Sequence, residues 1–456
     1  MNRRTIPGML RPLALAAALA AGAGGCGDLL VPDYNNPAVD DFVSNPTPGA
    51  VRAAATGLLI GGRAGITERT GYVAMLGVVG REAYIIDSSD PRYVSELLQG
   101  PLTNSGAFGA GMWTPRYANI RNANLLLAAL ENVEGFTAAE QEAIRGWAKT
   151  FQALDFLLVI NTRDAAGAPI DVAGSVDEPA PFATRAAVFQ RIVQLLDEGR
   201  THLLAAGGAF PFSIGSGFAE FDTPATFLQF NRALRARVAV YTGDYAGAIT
   251  ALSQSFVSTA ASLDRGAYHT YGASEGQAND LSNEFIYAHP ALVTQAELQA
   301  GGTQPDRRVL EKIGTHPDPG SQQGVASDKQ FLIYPTGSSD VPVIRNEELI
   351  LLRAEARWFT GDKPGAMADL NFIRQSSGGL APIAQPATDA LFVTELLKQR
   401  RYSLMFEGHR WIDARRFGRL DSLGKDVATH IIVPRWSIPE AECLARNLSS
   451  PCDLAG

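Results

Sequence analysis

Two loop-like stretches gather flat aromatic rings beside planar polar groups. Arg81, Tyr84, Asp87, Arg92, Tyr93, Asn104 and Trp113 fall between residues 80 and 113, and Tyr268, His269, Tyr271, Asn279 and Tyr334 between 253 and 340. Aromatic faces suit the C–H side of a sugar ring, while acids, amides and guanidinium groups pair with its hydroxyls. Catalytic patterns are missing. Gly215-Ser216-Gly217 lacks the wider Gly-x-Ser-x-Gly of a nucleophile elbow, and Gly61-Gly62 has no phosphate-binding lysine behind it. Asp40-Asp41 and Glu347-Glu348 are adjacent, so their carboxylates diverge rather than converge as a glycosidase pair must. The 6 histidines show no metal-ligand spacing, and His409 is expected at the surface or capping a helix. The expectation is a binding protein with no catalytic residues, no metal and no cofactor. Its ligand contacts are expected at Arg81, Tyr84, Asp87, Arg92, Tyr93, Trp113, Tyr268 and Tyr271. The bland alternative is that these rings pack on the helices, Trp113 above all, because it stands at a helix start.

The run Leu397-Lys398-Gln399-Arg400-Arg401-Tyr402-Ser403-Leu404-Met405-Phe406-Glu407-Gly408-His409-Arg410-Trp411-Ile412-Asp413-Ala414-Arg415-Arg416-Phe417-Gly418 places charged and apolar residues at helical spacing. Gly408 interrupts it, as a residue free to take positive φ would. Arg400, Arg401, Leu404, Phe406, Glu407, Gly408, Arg410, Trp411, Asp413, Arg415 and Arg416 match the C-terminal signature of the SusD/RagB family, which this run closely resembles. Ser403 and Ala414 are mild departures from it. These arginines either hold a ligand or pair with the acids and lock the fold. Pairing is the expectation, with Arg410 partnering Glu407 or Asp413.

Composition bounds the rest. The chain has 456 residues, 46% hydrophobic and 19% charged, which supplies a buried core and excludes disorder. A net charge of −8 excludes an electrostatic nucleic-acid binder. Residues 1–25 read as an export signal: Arg3, Arg4 and Arg11 are basic, and the apolar run Leu13 to Ala23 is too short to span a bilayer. Ala21-Gly22-Ala23 fits an ordinary cleavage site, whereas Ala23-Gly24-Gly25-Cys26 resembles a lipobox. Lipidation of Cys26, palmitate included, is the expectation, since several acyl chains on one cysteine anchor stably. Cys443 and Cys452 remain, and an exported chain meets an oxidising compartment, so a disulfide between them is expected.

An internal echo points to helical repeats. Tyr241-Thr242-Gly243-Asp244-Tyr245-Ala246-Gly247-Ala248 parallels Phe359-Thr360-Gly361-Asp362-Lys363-Pro364-Gly365-Ala366, each a helix, a Gly-Asp turn and a second helix. Thr114-Pro115 opens a helix with Ile120, Ala123, Leu127 and Leu130 inward, and Thr137-Ala138-Ala139-Glu140 is a capping box before Ile144, Trp147, Phe151, Leu154 and Leu158. Phe189, Ile192, Val193 and Leu196 form another stripe, and Thr223-Pro224 opens the helix of Phe227 and Phe230. Residues 80–112, 160–183, 253–345 and 376–390 are expected to be long irregular insertions. The class is all-α, tetratricopeptide-like, in one helical domain over 26–456.

The block from Trp113 to Asn124 and the lead-in Asp340-Val341-Pro342-Val343-Ile344-Arg345-Asn346-Glu347-Glu348 are also similar to the family, so the resemblance spans nearly the whole mature chain. It implies an outer-membrane lipoprotein facing the exterior. Such a protein captures an oligosaccharide or other oligomeric nutrient and passes it to a SusC-type TonB-dependent transporter. The alternative is an envelope scaffold of helical repeats that binds a peptide or protein.

Overall fold

Gly243 and Gly361 take φ of 77° and 95°, a conformation that costs glycine little. Asp244 and Asp362 then accept the backbone N–H of Gly247 and Gly365, each at 2.9 Å, which satisfies donors the next helix would otherwise orphan. Each Gly-Asp pair so folds the chain back on itself.

The computed structural model describes residues 39–174 and 178–454, and Cys26 with the leader 1–25 lies outside them. The principal helices are α1 (Pro48–Arg63), α2 (Tyr72–Val79), α3 (Thr114–Ala129), α4 (Ala138–Arg163), α5 (Arg185–Ala205), α6 (Pro224–Thr242), α7 (Tyr245–Ser253), α8 (Asn346–Phe359), α9 (Lys363–Ser376), α10 (Asp389–Ser403) and α11 (Arg410–Arg416). The first packs on α3, and from α3 to α10 each helix packs on the next, α7 on α8 included although a long insertion separates them in sequence. The capping box closes as expected: Thr137 Oγ1 accepts from Glu140 N at 3.2 Å while the Glu140 carboxylate accepts from Thr137 N at 2.8 Å. The inward stripes are buried, except that Leu127 and Val193 are partly exposed. At their centre Trp147 meets Phe151, Phe212 and Phe227 with ring centroids 4.7, 5.1 and 4.7 Å away. No helix among the described residues is long and apolar enough to cross a membrane.

The insertions are less irregular than their composition suggests. They carry β1 (Ala83–Ile85), β2 (Ala168–Pro169), β3 (Phe182–Ala183), β4 (Gly266–His269), β5 (Ile286–Ala288), β6 (Ile313–Gln322), β7 (Val325–Phe331) and β8 (Val341–Arg345). These pair antiparallel as β1–β5, β2–β3, β4–β8 and β6–β7. Residues 160–163 belong to α4 rather than to a loop, because its apolar face continues to Ile160 and Arg163 is fully buried. Near the end of the chain Cys443 and Cys452 are bonded, with Cα atoms 5.6 Å apart.

Candidate functional site

Tyr268 gains its position from a distant strand pairing. The β4–β8 register is shifted between Ala267 and Tyr268, and Tyr268 faces Pro342. A bulge of this kind re-aims a side chain. Tyr268 is half-buried, while the next residue, His269, is buried on the opposite side. There burial, with Arg116 and Arg63 nearby, pulls the imidazole down to about 3, so it is neutral.

Tyr268 lines a cleft of about 510 Å³. Pro342, Ile333 and Tyr334 give it apolar wall, and Asp264, Arg307, Glu311 and Asp340 stand at its rim. The floor is charged but internally satisfied. Arg345 donates to Glu347 at 2.5 Å and to Glu407 at 2.8 Å, and Lys312 donates to the carbonyls of Tyr402 at 3.1 Å and Ser403 at 2.5 Å. Burial pushes the Glu347 carboxyl up, but the Arg345 and Lys312 charges outweigh it and hold it below the usual carboxylate range. Burial likewise pulls the Arg345 guanidinium down, and Glu407 and Glu347 more than restore it. The floor therefore has few bonds left to offer. The rim differs: the Asp264 side chain is 84% exposed and 3.7 Å from Arg345, and Asp340 is exposed as well. An aromatic face bordered by accessible acids and a guanidinium can hold a polyhydroxylated ring.

The other residues selected from sequence lie elsewhere. Arg81, Tyr84, Asp87, Tyr93, Trp113 and Tyr271 are buried. Arg81 donates to the Ile431 carbonyl at 2.8 Å, and Tyr84 meets His289 at 2.9 Å. Asp87 accepts from Arg69 at 2.5 Å and from Ser89 Oγ at 2.6 Å. Tyr93 packs on Phe108 at 5.0 Å. Trp113 donates to Glu442 at 3.1 Å and packs against Tyr117. These contacts fix the insertions onto the helices. Arg92 is exposed, paired with Asp90 at 2.7 Å, and lines a separate open depression with Ser95 and Gly106. The structure thus does not bring the two aromatic stretches into one site. Asp264, Arg307, Glu311 and Asp340 were not selected from sequence. The charged Arg307–Lys312 helix was the available signal, but it meets the β4–β8 pair that carries Tyr268 only in the folded chain, from a segment too remote in sequence to read.

Comparison with known proteins agrees with this architecture. Residues 320–438 match the SusD family. A laminarin-binding SusD-like protein superposes with a TM-score of 0.68 at 17% identity, covering 88% of this chain and 98% of that one. Over residues 320–438 the sequence is SusD-like, and over most of its length the chain shares the fold of SusD-like proteins. Surface glycan-binding protein A from Bacteroides thetaiotaomicron, solved in complex with laminarihexaose, gives a TM-score of 0.67 at 14% identity over 89% and 100% of the two chains. A SusD superfamily protein from Bacteroides vulgatus gives 0.66 at 15% over 87% and 96%. No curated protein matches the sequence.

The motif that carries the SusD resemblance is mostly a set of internal ion pairs. Arg400 donates to Asp413 at 2.7 Å, and Arg416 donates to Asp413 at 2.9 Å and to both Glu355 oxygens. Glu407 is taken by Arg345, which leaves Arg410 without either expected partner. Arg410 donates instead to the Arg81 carbonyl at 2.8 Å. Gly408 has φ of 83°, and Phe406 has φ of 55°, its ring stacked on Phe331 at 4.1 Å. His409 stands at the N-cap position of α11, where its carbonyl accepts from Asp413 N at 2.9 Å, but its ring makes no capping bond and instead lies 3.4 Å from the Tyr241 hydroxyl and 3.8 Å from Glu348.

Proposed function

We propose that this SusD-like chain binds an oligosaccharide in the cleft at Tyr268 and delivers it to a SusC-type TonB-dependent transporter. The observation that carries the assignment is Tyr268 itself. It is the one residue of the sequence-selected set that combines a partly open ring with a roomy cleft and accessible polar groups. Two of the structural neighbours support a glycan as ligand, one named for laminarin and the other solved with laminarihexaose. The task is binding without chemistry, and no cofactor is needed, because the energy for transport would come from the transporter. The protein's own contribution is selective, reversible capture.

A glycan array followed by calorimetric titration of a hit tests this directly. Tyr268→Ala is expected to weaken binding about tenfold, roughly 1.4 kcal/mol, with little change in Tm because the ring is half-exposed. Unaltered affinity in that variant would remove the cleft from consideration, and an array silent for glycans but positive for peptides would transfer the ligand class.

We further infer that residues 1–25 are removed and that lipidated Cys26 holds the protein on the outer face of the outer membrane. Cys26→Ser is expected to move the protein from the membrane fraction to the soluble one; membrane attachment that survives the substitution would contradict the anchor.

A further inference from the structure

Two arginines of the C-terminal motif have no acidic partner. Among the described residues neither Arg401 nor Arg410 forms an ion pair, whereas Arg400 pairs with Asp413 through Nε, its two Nη atoms remaining without a partner, and Arg416 pairs with Asp413 and Glu355. Both line a cavity of about 240 Å³ at the junction of α10 and α11, together with Lys398, Tyr402 and Gln295. Arg401 spends one nitrogen on Gln295 at 2.6 Å. Its Nε and Nη2 are shielded from solvent and have no partner. Tyr402 is 1% exposed, and its hydroxyl also has no partner.

The acids nearby do not neutralise this pair. Asp413 is shared by Arg400 and Arg416, and Lys398 is balanced by Glu297. Glu82 lies beneath, fully buried, and burial pushes it up to about 7 despite Arg410 and Arg401, so part of the population is uncharged near neutrality. Burial, then the charge of Arg401, pulls Arg410 down to about 9. Two guanidinium groups that line one cavity and have no carboxylate partner are an arrangement that can take a planar or tetrahedral oxyanion through N–H···O bonds.

We propose that the Arg401–Arg410 pocket is an oxyanion-binding site, taking a sulfate or carboxylate group either as a free anion or as the acidic substituent of a sugar. It is separate from the Tyr268 cleft. The last turn of α10 stands between them, with the Tyr402 and Ser403 carbonyls bonded to Lys312 of the cleft and the Tyr402 ring lining the pocket. The proposal does not depend on what the cleft binds.

Sodium sulfate, glucuronic acid and glucose 6-sulfate titrated calorimetrically into the mature protein, in chloride buffer of matched ionic strength, test the site. Saturable binding is expected, weakened at least tenfold by Arg410→Gln and unchanged by Tyr268→Ala. Equal affinity for free sulfate and the acidic sugars would assign the site to the anion alone, and tenfold tighter binding of a sugar would assign it to an acidic glycan. No saturable binding of any of the three, or binding unaffected in a folded Arg410→Gln protein, would overturn the proposal. Should that variant fail to fold, crystals of the unaltered protein soaked in selenate decide the matter. An anomalous peak between Arg401 and Arg410 is expected, and its absence would count against the site.

Discussion

Arg345→Ala is expected to lower the unfolding free energy by about 3–5 kcal/mol, as removal of one partner from a buried ion network does. Arg345 is buried at the end of β8 and bridges Glu347 at the start of α8, Glu407 and the Ser403 carbonyl. Its loss leaves two carboxylates, 4% and 6% exposed, with their main counter-charge gone. Arg345→Lys retains charge but not the planar fork, so a smaller loss is expected. The pH dependence has a definite sign. Glu347 is held below its ordinary value of 4.5 in the folded protein, so its contribution is present above that value and fades as pH falls below it. The gap between the parent and Arg345→Ala, measured by urea unfolding, should therefore be widest near neutrality and narrow below about pH 4.5. A loss under about 1 kcal/mol at neutral pH would be the size of an exposed pair and would contradict the network.

Trp147→Ala should cost a similar amount, about 3–5 kcal/mol, for a different reason. The indole is fully buried among Phe151, Phe210, Phe212 and Phe227, and its Nε1–H donates to the Ala55 carbonyl at 2.9 Å. Alanine opens a cavity between α1, α4 and α6 and removes that hydrogen bond. The deficit should persist across pH, since no titrating group is involved, and this separates it from Arg345→Ala. Trp147→Phe, which keeps most of the apolar volume, should recover part of the loss in the same unfolding assay. Equal losses for alanine and phenylalanine would point to the hydrogen bond rather than packing.

What was legible in the sequence was local. The Thr137–Glu140 capping box and the two Gly-Asp turns each need only a few neighbouring residues to declare themselves, and each is found where the spacing puts it. The motif around Gly408 was equally legible as a family signature, and most of its arginines do pair with acids. Partner identity was not legible. Arg410 and Arg416 both lie three residues from Asp413, and only packing decided that Arg416 takes it. The site was harder still. Aromatic residues in an irregular stretch carry no periodicity to say which way they face, so Tyr84, Tyr93 and Trp113, which are buried, looked the same as Tyr268. Tyr268 itself is set by the β4–β8 pairing across most of an insertion, and its rim residues arrive from three separate segments.

The central claim is that Tyr268 marks the place where a saccharide rests. A crystal structure of the protein with the oligosaccharide selected by the array tests it most directly. A sugar ring stacked on Tyr268, with hydroxyls reaching Asp264, Arg307 or Asp340, is the expected result. A saccharide seated elsewhere, with the Tyr268 cleft open to solvent, would contradict the account.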